Sequence, residues 1–329
     1  MNVIVERERP LAELEERIAV LRARGTQTAA DRSALDDDVR MLEENYRGLL
    51  RDLFGNLGAW ERVNMARHPK RPIASDYLAA FDQFDELHGD RQFRDDPALL
   101  GGFAKLRGRR VMVLAQQKGR DTRENIKRNF GMVSPEGYRK AARLMRLADR
   151  FGLPIVTFVD TSGADPGVAS EEHAQAEAIA SSLMTLTKVC VPVVASVVGE
   201  GGSGGALAIA LADRVIMAEN AVYSVASPEG CAAILWGDAG RAPEAAERLR
   251  LTSADLLQLG IVDEVVPEPL GGAHRDSVAF VERLLDAVDL ALRDLERLPA
   301  SDLRERRYRK FRRIGAWQEA HVARVVAVP

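Results

Sequence analysis

The stretch Val191 to Ala206 constrains this 329-residue chain more than any other. Val191 to Val198 is an almost unbroken apolar run of strand length, so both faces of that strand must be covered. It leads directly into Val198-Gly-Glu-Gly-Gly-Ser-Gly-Gly-Ala206 and then, from Gly204, into a short and very apolar helix. Glycine permits close backbone approach and strained dihedrals, and a helix start leaves N–H groups free. Two destinations suit such donors: a phosphate or a developing oxyanion. The phosphate reading is weakened by spacing, because the run is not G-x-x-x-x-G-K-[ST], no lysine follows, and no ribose-binding acid is in place for G-x-G-x-x-G.

The texture around this stretch divides the chain into three regions: 1–70, 71–275 and 276–329. In the first, Leu11, Leu14, Ile18 and Leu21 recur at helical spacing up to Gly25. A second amphipathic stretch starts near Asp31, with Leu35, Val39, Leu42, Tyr46, Leu49, Leu50 and Leu53. These predict a helical hairpin whose apolar stripe is covered by its own chain or by a partner. The middle region alternates short strands with helices, the grammar of a layered α/β domain. Its strands are expected at Arg110–Ala115, Pro154–Val159, Val191–Val198 and Arg214–Met217, and helices are expected to open at Ser134-Pro-Glu136 and Ser170-Glu-Glu172. The last region is helical, with a stripe of Val278, Phe280, Leu284, Leu285, Val288, Leu290 and Leu292, and a basic run from Arg304 to Arg313.

Two further segments leave strands and carry candidate chemistry. Val159-Asp-Thr-Ser-Gly-Ala-Asp-Pro-Gly167 enters a helix; if it lies at the same end of parallel strands as the glycine run, the two form one site mouth. Gln116 to Gly131 is rich in donors, and Lys118, Arg120 and Arg123 suit a carboxylate, carbamate or phosphate, although most charge runs are solvated. His173 sits where it can face a ligand, His274 is expected to tie down a turn, and Cys231 reads as a buried structural thiol. There is no G-x-S-x-G, no H-E-x-x-H and no C-x-x-C, so no metal ligand set is expected in this chain. The two cysteines, Cys190 and Cys231, fit a reducing cytosol. A site built on backbone donors suits enolate and oxyanion stabilisation, for example on thioesters. Composition excludes other classes. The net charge is −3, only 5% of residues are aromatic, and no apolar run reaches ~20 residues, so neither nucleic acid nor a membrane is expected as a partner.

The sequence resembles the α subunit family of the bacterial acetyl-CoA carboxylase carboxyltransferase, within the crotonase/ClpP-like superfamily. The resemblance rests on Phe84-Asp-Glu-Leu87, Gly89-Asp-Arg91, Gln117-Lys-Gly-Arg120, Arg128-Asn-Phe-Gly-Met132, Pro135-Glu-Gly-Tyr-Arg-Lys140, Gly199 to Ala206, Ser227-Pro-Glu-Gly-Cys231 and Pro267 to His274, in order. It implies an α/β spiral of ββα units with an N-terminal helical hairpin and C-terminal helices. It also implies an enzyme subunit active only with a β partner that carries a zinc ribbon, in an α2β2 cytoplasmic assembly. Carboxybiotin, held on a separate carrier protein, would give CO2 to acetyl-CoA or a related acyl thioester, forming malonyl-CoA for fatty acid biosynthesis. The resemblance assigns backbone donation toward biotin to Gly204 and Gly205. It places Gly163, Ala164, Gly167, Gly201, Gly202, Ser203, Lys118, Arg120 and His173 around the substrate and biotin.

One segment departs from the family pattern. Asp-Thr-Pro-Gly-Ala-Tyr-Pro-Gly in the family is Asp160-Thr-Ser-Gly-Ala-Asp-Pro-Gly167 here, with Ser162 for Pro and Asp165 for Tyr. At ~4 Å and an effective dielectric of ~20, two like charges repel by roughly 4 kcal/mol. Asp165 therefore points away, pairs with Lys118 or Arg120, or does new work as an acid or base. The alternative reading is a repurposed paralogue that performs decarboxylation, dehydration or related enolate chemistry on an acyl thioester through Asp165. A non-catalytic interaction subunit is a third reading, and the intact glycine run argues against it.

Overall fold

The computed structural model describes residues 2–24 and 29–315. The expected helix end at Gly25 and the stretch 316–329 lie outside them. The N-terminal region folds as α1 (Val3–Arg7), α2 (Arg9–Arg22), α3 (Ala29–Phe54), α4 (Ala59–Ala66) and α5 (Ala74–Ala79). Leu11, Ile18, Leu42, Leu50 and Phe54 are buried within the chain, Leu11, Leu50 and Phe54 in one cluster with Ile4, Leu57 and Met65. Part of the hairpin stripe is thus covered by its own chain, while Leu14, Leu21, Leu35, Val39, Tyr46, Leu49 and Leu53 are half-buried.

The centre follows as β1 (Gln83–Glu86), β2 (Leu99–Leu106), β3 (Arg109–Gln116), α6 (Thr122–Lys127), α7 (Pro135–Phe151) and β4 (Ile155–Thr161). Then come α8 (Val168–Glu172), α9 (Gln175–Lys188), β5 (Val193–Gly202), α10 (Ser203–Ala210), β6 (Arg214–Ala218) and β7 (Val222–Ser224). The chain continues through α11 (Pro228–Trp236), α12 (Ala242–Leu249), α13 (Ser253–Gln258), β8 (Glu264–Val266), α14 (Ser277–Leu295) and α15 (Ala300–Arg312).

Among the described residues the strands form one sheet in the order β1-β2-β3-β4-β5-β6-β8, with β7 paired to the end of β5. β1, β2 and β3 are antiparallel, and β3 to β8 run parallel. β4 and β5 are rich in β-branched apolar residues, and β4 is buried at every position, as two covered faces require. α7 and α10 pack on the strands and on α9, while α14 packs on β5, β6 and β8.

Three expectations change in detail. β5 does not stop at Val198: it runs to Gly202, because Glu200, Gly201 and Gly202 pair with Val222, Tyr223 and Ser224. The helix expected at Ser170 opens at Val168 and breaks at Ala174 (φ 62°) before α9. Val278 and Leu290, placed in the last apolar stripe, face solvent, while Phe280, Leu284, Leu285, Val288 and Leu292 enter the core. The basic run is partly spent on folding. Arg307 is buried, donates to Asp213 and to the carbonyls of Leu186, Val189 and Val191, and Lys310 pairs with Asp263.

Two buried polar clusters tie the ends to the sheet. His274 stacks on His68 (3.8 Å between centroids), and Glu8 accepts from both rings at 2.7 and 3.1 Å. This is the only group of three potential metal ligands among the described residues; His274 Nδ1 is buried there without a hydrogen-bond partner, while the other ring nitrogens are engaged. The Lys70 N–H already occupies His68 Nδ1, and Arg275 lies 3.0 Å from Glu8. His274 thus anchors a turn, as its sequence context suggests. Arg71 forms a two-pronged pair with Glu268 (2.5 and 3.1 Å) and donates to the Val198 carbonyl of β5 at 2.6 Å. Removing one member of a buried pair strands the other charge. Arg71→Met is expected to lower unfolding stability by about 3–5 kcal/mol, read as a lower urea midpoint with unchanged m.

Candidate active site

The two glycine-bearing loops lie together, at the carboxyl ends of adjacent parallel strands β4 and β5. Their backbones touch. A Cβ on Gly202 would collide with the Ser162 carbonyl, and one on Gly205 would lie 2.5 Å from Ala164 N and 2.6 Å from Gly163 C. Only glycine allows this approach. Thr161 fixes the near side of the turn: its hydroxyl donates to the Gly163 carbonyl at 2.6 Å and accepts from the Gly163 N–H at 3.2 Å.

α10 begins abruptly at Ser203, whose φ of 52° is left-handed. A non-glycine residue pays ~1–2 kcal/mol for that conformation, and such strain gathers at functional sites. The helix has no side-chain cap, so its first N–H groups, on Gly204 and Gly205, are not consumed by one. Beside them lies a mainly apolar cavity of about 250 Å3 lined by Ser203, Gly204, Leu207, Tyr223, Ser224, Val225, Leu256 and Ile261. Burial pushes the Tyr223 phenol up to about 12, so it stays neutral at working pH.

Behind the mouth lies a chain of ion pairs. Lys118 Nζ is 2.7 Å from Asp160 and 2.9 Å from Glu200, and Arg67 joins Glu200 (2.6 Å) to Glu229 (2.5 Å) of α11. Burial alone would raise the Glu200 pKa, but Lys118 and Arg67 outweigh it and hold the carboxyl at about 2. The Lys118 ammonium, penalised by burial, is raised above its usual range by Asp160 and Glu200.

Of the residues singled out in the sequence, Gly163, Ala164, Gly201, Gly202, Ser203, Gly204 and Gly205 converge. Four behave differently. Lys118 turns inward to Asp160 and Glu200. Arg120 pairs with Asp76 of α5. His173 ends α8 and holds Glu136 of α7 at 2.6 Å, under the edge of Phe93. Asp165 pairs with neither Lys118 nor Arg120. Its carboxylate accepts from the Gly167 N–H (3.1 Å) and the Ser170 hydroxyl (2.6 Å), tying the loop to the start of α8. Cys231 is half-buried. Sequence reasoning missed Asp160, Glu200, Tyr223, Leu256 and Ile261. The signal for the first two was present: an acid ending or interrupting an apolar strand must have a partner.

A family model described as acetyl co-enzyme A carboxylase carboxyltransferase-like matches residues 4–315. The chain belongs to this family. It is 54% identical over 316 residues to an acetyl-coenzyme A carboxylase carboxyl transferase subunit alpha of Thermus thermophilus, covering 96% of this chain and 99% of that one. The corresponding subunit of Vibrio parahaemolyticus is 51% identical over 315 residues, covering 94% of this chain and 98% of that one. Among solved structures, a Pseudomonas malonate decarboxylase hetero-dimer aligns with TM-score 0.54 at 22% identity, over 66% of this chain and 89% of that one. Transcarboxylase 12S aligns with TM-score 0.51 at 24% identity, over 63% and 40%. These distant likenesses concern the fold alone.

The ion-pair chain has a pH signature. Glu200 has a depressed folded pKa, so its stabilisation is complete above the unfolded value near 4.5 and is lost as pH falls toward about 2. Lys118→Met removes the first cation. Acid unfolding followed by circular dichroism should begin at a higher pH in this variant than in the parent chain.

Proposed function

We propose that this chain is the carboxyl-donor half of an acetyl-CoA carboxyltransferase. Carboxybiotin on a separate carrier protein gives CO2 to the α-carbon of acetyl-CoA, and malonyl-CoA forms. The observation that carries this reading is the uncapped start of α10 beside a small, mainly apolar cavity. As the N–C bond of carboxybiotin breaks, charge gathers on the ureido oxygen. The Gly204 and Gly205 N–H groups are the donors for it, and the cavity receives the ring. The bond electrons stay with the ureido group, whose nitrogen takes the proton lost by the acetyl α-carbon. The resulting enolate forms the new C–C bond to CO2.

The thioester enolate needs a second oxyanion hole and a CoA site. A β partner with a zinc ribbon supplies them in an α2β2 assembly; this chain holds only two cysteines, too few for a four-cysteine ribbon. Exposed apolar side chains support that partner: Val225 on the cavity rim is 77% exposed, and Ile234 and Leu235 of α11 are 82% and 63% exposed. Exposed apolar groups clustered on one element mark association sites. The acid–base role for Asp165 loses its footing, since both carboxylate oxygens are engaged in the loop.

Two experiments test the reading. Carboxyl transfer should appear only when the chain is mixed with its β partner. Within that complex, Gly204→Pro deletes one N–H in the first turn of α10, where no intrahelical bond is lost, and should lower kcat by about 10²–10³. Gly204→Ala, with only Ile179 atoms at 3.7 and 3.8 Å from the new Cβ, should not. Separately, Asp165→Asn keeps an acceptor for the Gly167 N–H and should change kcat by less than ~3-fold. A loss of about 10²–10⁴ would restore Asp165 as acid or base.

A further inference from the structure

We infer that Gln116 and Tyr138 are positioning residues that aim the α10 donors; the inference rests on the oxyanion role proposed above. Gln116 is the last residue of β3 and is completely buried. A carboxamide in that position is costly unless its polar atoms are used. Its Oε1 accepts from the Asp160 N–H at 3.1 Å, and its Nε2 donates to the Gly205 carbonyl at 2.8 Å. One side chain thus links the end of β4 to the first turn of α10, the two segments that meet at Gly163, Ala164 and Gly205. Tyr138, also fully buried on α7, donates its hydroxyl to the same Gly205 oxygen at 3.2 Å. Burial raises the Tyr138 phenol, so it remains a donor.

The need for such anchors follows from local structure. Gly205 has no side chain to fix its peptide planes, and α10 lacks a capping side chain. Without external bonds the first turn is free to tilt. Donors aimed in advance at the site of developing charge cost no reorganisation during reaction, and such aim depends on supporting hydrogen bonds. Two buried donors from β3 and α7 hold the Gly205 carbonyl, whose peptide plane follows directly on the one that carries the Gly205 N–H.

The test uses the α–β complex with malonyl-CoA and free biotin, read as transfer of the malonyl carboxyl group to the biotin ureido nitrogen with release of acetyl-CoA. Gln116→Glu keeps an acceptor for the Asp160 N–H. When ionised it places an anion against the Gly205 oxygen; when protonated it donates there again. Burial raises the pKa of the new carboxyl. The kcat of Gln116→Glu, relative to wild type at the same pH, should be down about 10–100-fold at pH 9. It should recover at least ~5-fold by pH 6 with KM little changed. Asp160, Lys118, Glu200 and Tyr138, the ionisable neighbours, are common to both proteins, so their own titration is carried equally in the ratio. Tyr138→Phe should lower kcat by about 3–10-fold with no such recovery and an intact melting transition.

A pH-independent kcat ratio for Gln116→Glu, or a loss confined to KM, overturns the inference. If Gln116→Glu does not fold, an unchanged kcat for Tyr138→Phe overturns it. Failure of the parent reading looks different: the wild-type complex would transfer no carboxyl group. Hydrogen exchange of the α10 amides then decides the anchoring alone. Exchange in Gln116→Glu at least ~10-fold faster than wild type at pH 9, narrowing at pH 6, supports it; equal exchange overturns it.

Discussion

The site depends on one close approach of backbone to backbone. The turn after β4 and the first turn of α10 share a space that no side chain can enter, since a Cβ at Gly202 or Gly205 would strike Ser162, Gly163 or Ala164. With those glycines, two strand ends, a helix start and a cavity form one mouth. The rest of the molecule can be understood as support for that contact: a sheet buried on both faces beneath it, and anchors at its flanks.

That support carries an electrostatic cost, which is met locally. Asp160, Glu200 and Glu229 bring three carboxylates near the mouth, and Lys118 and Arg67 are interleaved among them. Two basic groups therefore face inward rather than toward a substrate. Carboxylates left unpaired there would oppose an incoming carbamate, because like charges at short range repel strongly in a medium of reduced dielectric. Neutralising them in advance leaves the α10 N–H groups to set the local field.

The departure at Ser162 and Asp165 is absorbed as local chemistry. Asp165 accepts from a backbone N–H two residues on and from a hydroxyl five residues on, a turn-stabilising habit of short acidic side chains. Asp165 ties the loop to α8, and the same loop carries the contact of Gly163 and Ala164 with Gly205.

Much of this was legible in the sequence, because it rests on local rules. Unbroken apolar runs required a sheet covered on both faces, and glycine runs at strand ends marked the close approach. Pro135 after Ser134 placed the start of α7. The deep match of ordered motifs identified the family. What sequence alone left open depended on partners distant along the chain. Only the fold decides that Lys118 meets Glu200, that His173 meets Glu136, and that Arg307 is buried under α15 rather than offered to solvent. Gln116 shows the limit plainly: it read as the first residue of a donor-rich loop, and its function appears only when β3, β4, α7 and α10 come together around one carbonyl. Periodicity and glycine placement report on a residue's own backbone. The destination of a buried polar side chain is set by whichever distant group lies within hydrogen-bonding reach, and that is a property of tertiary structure alone.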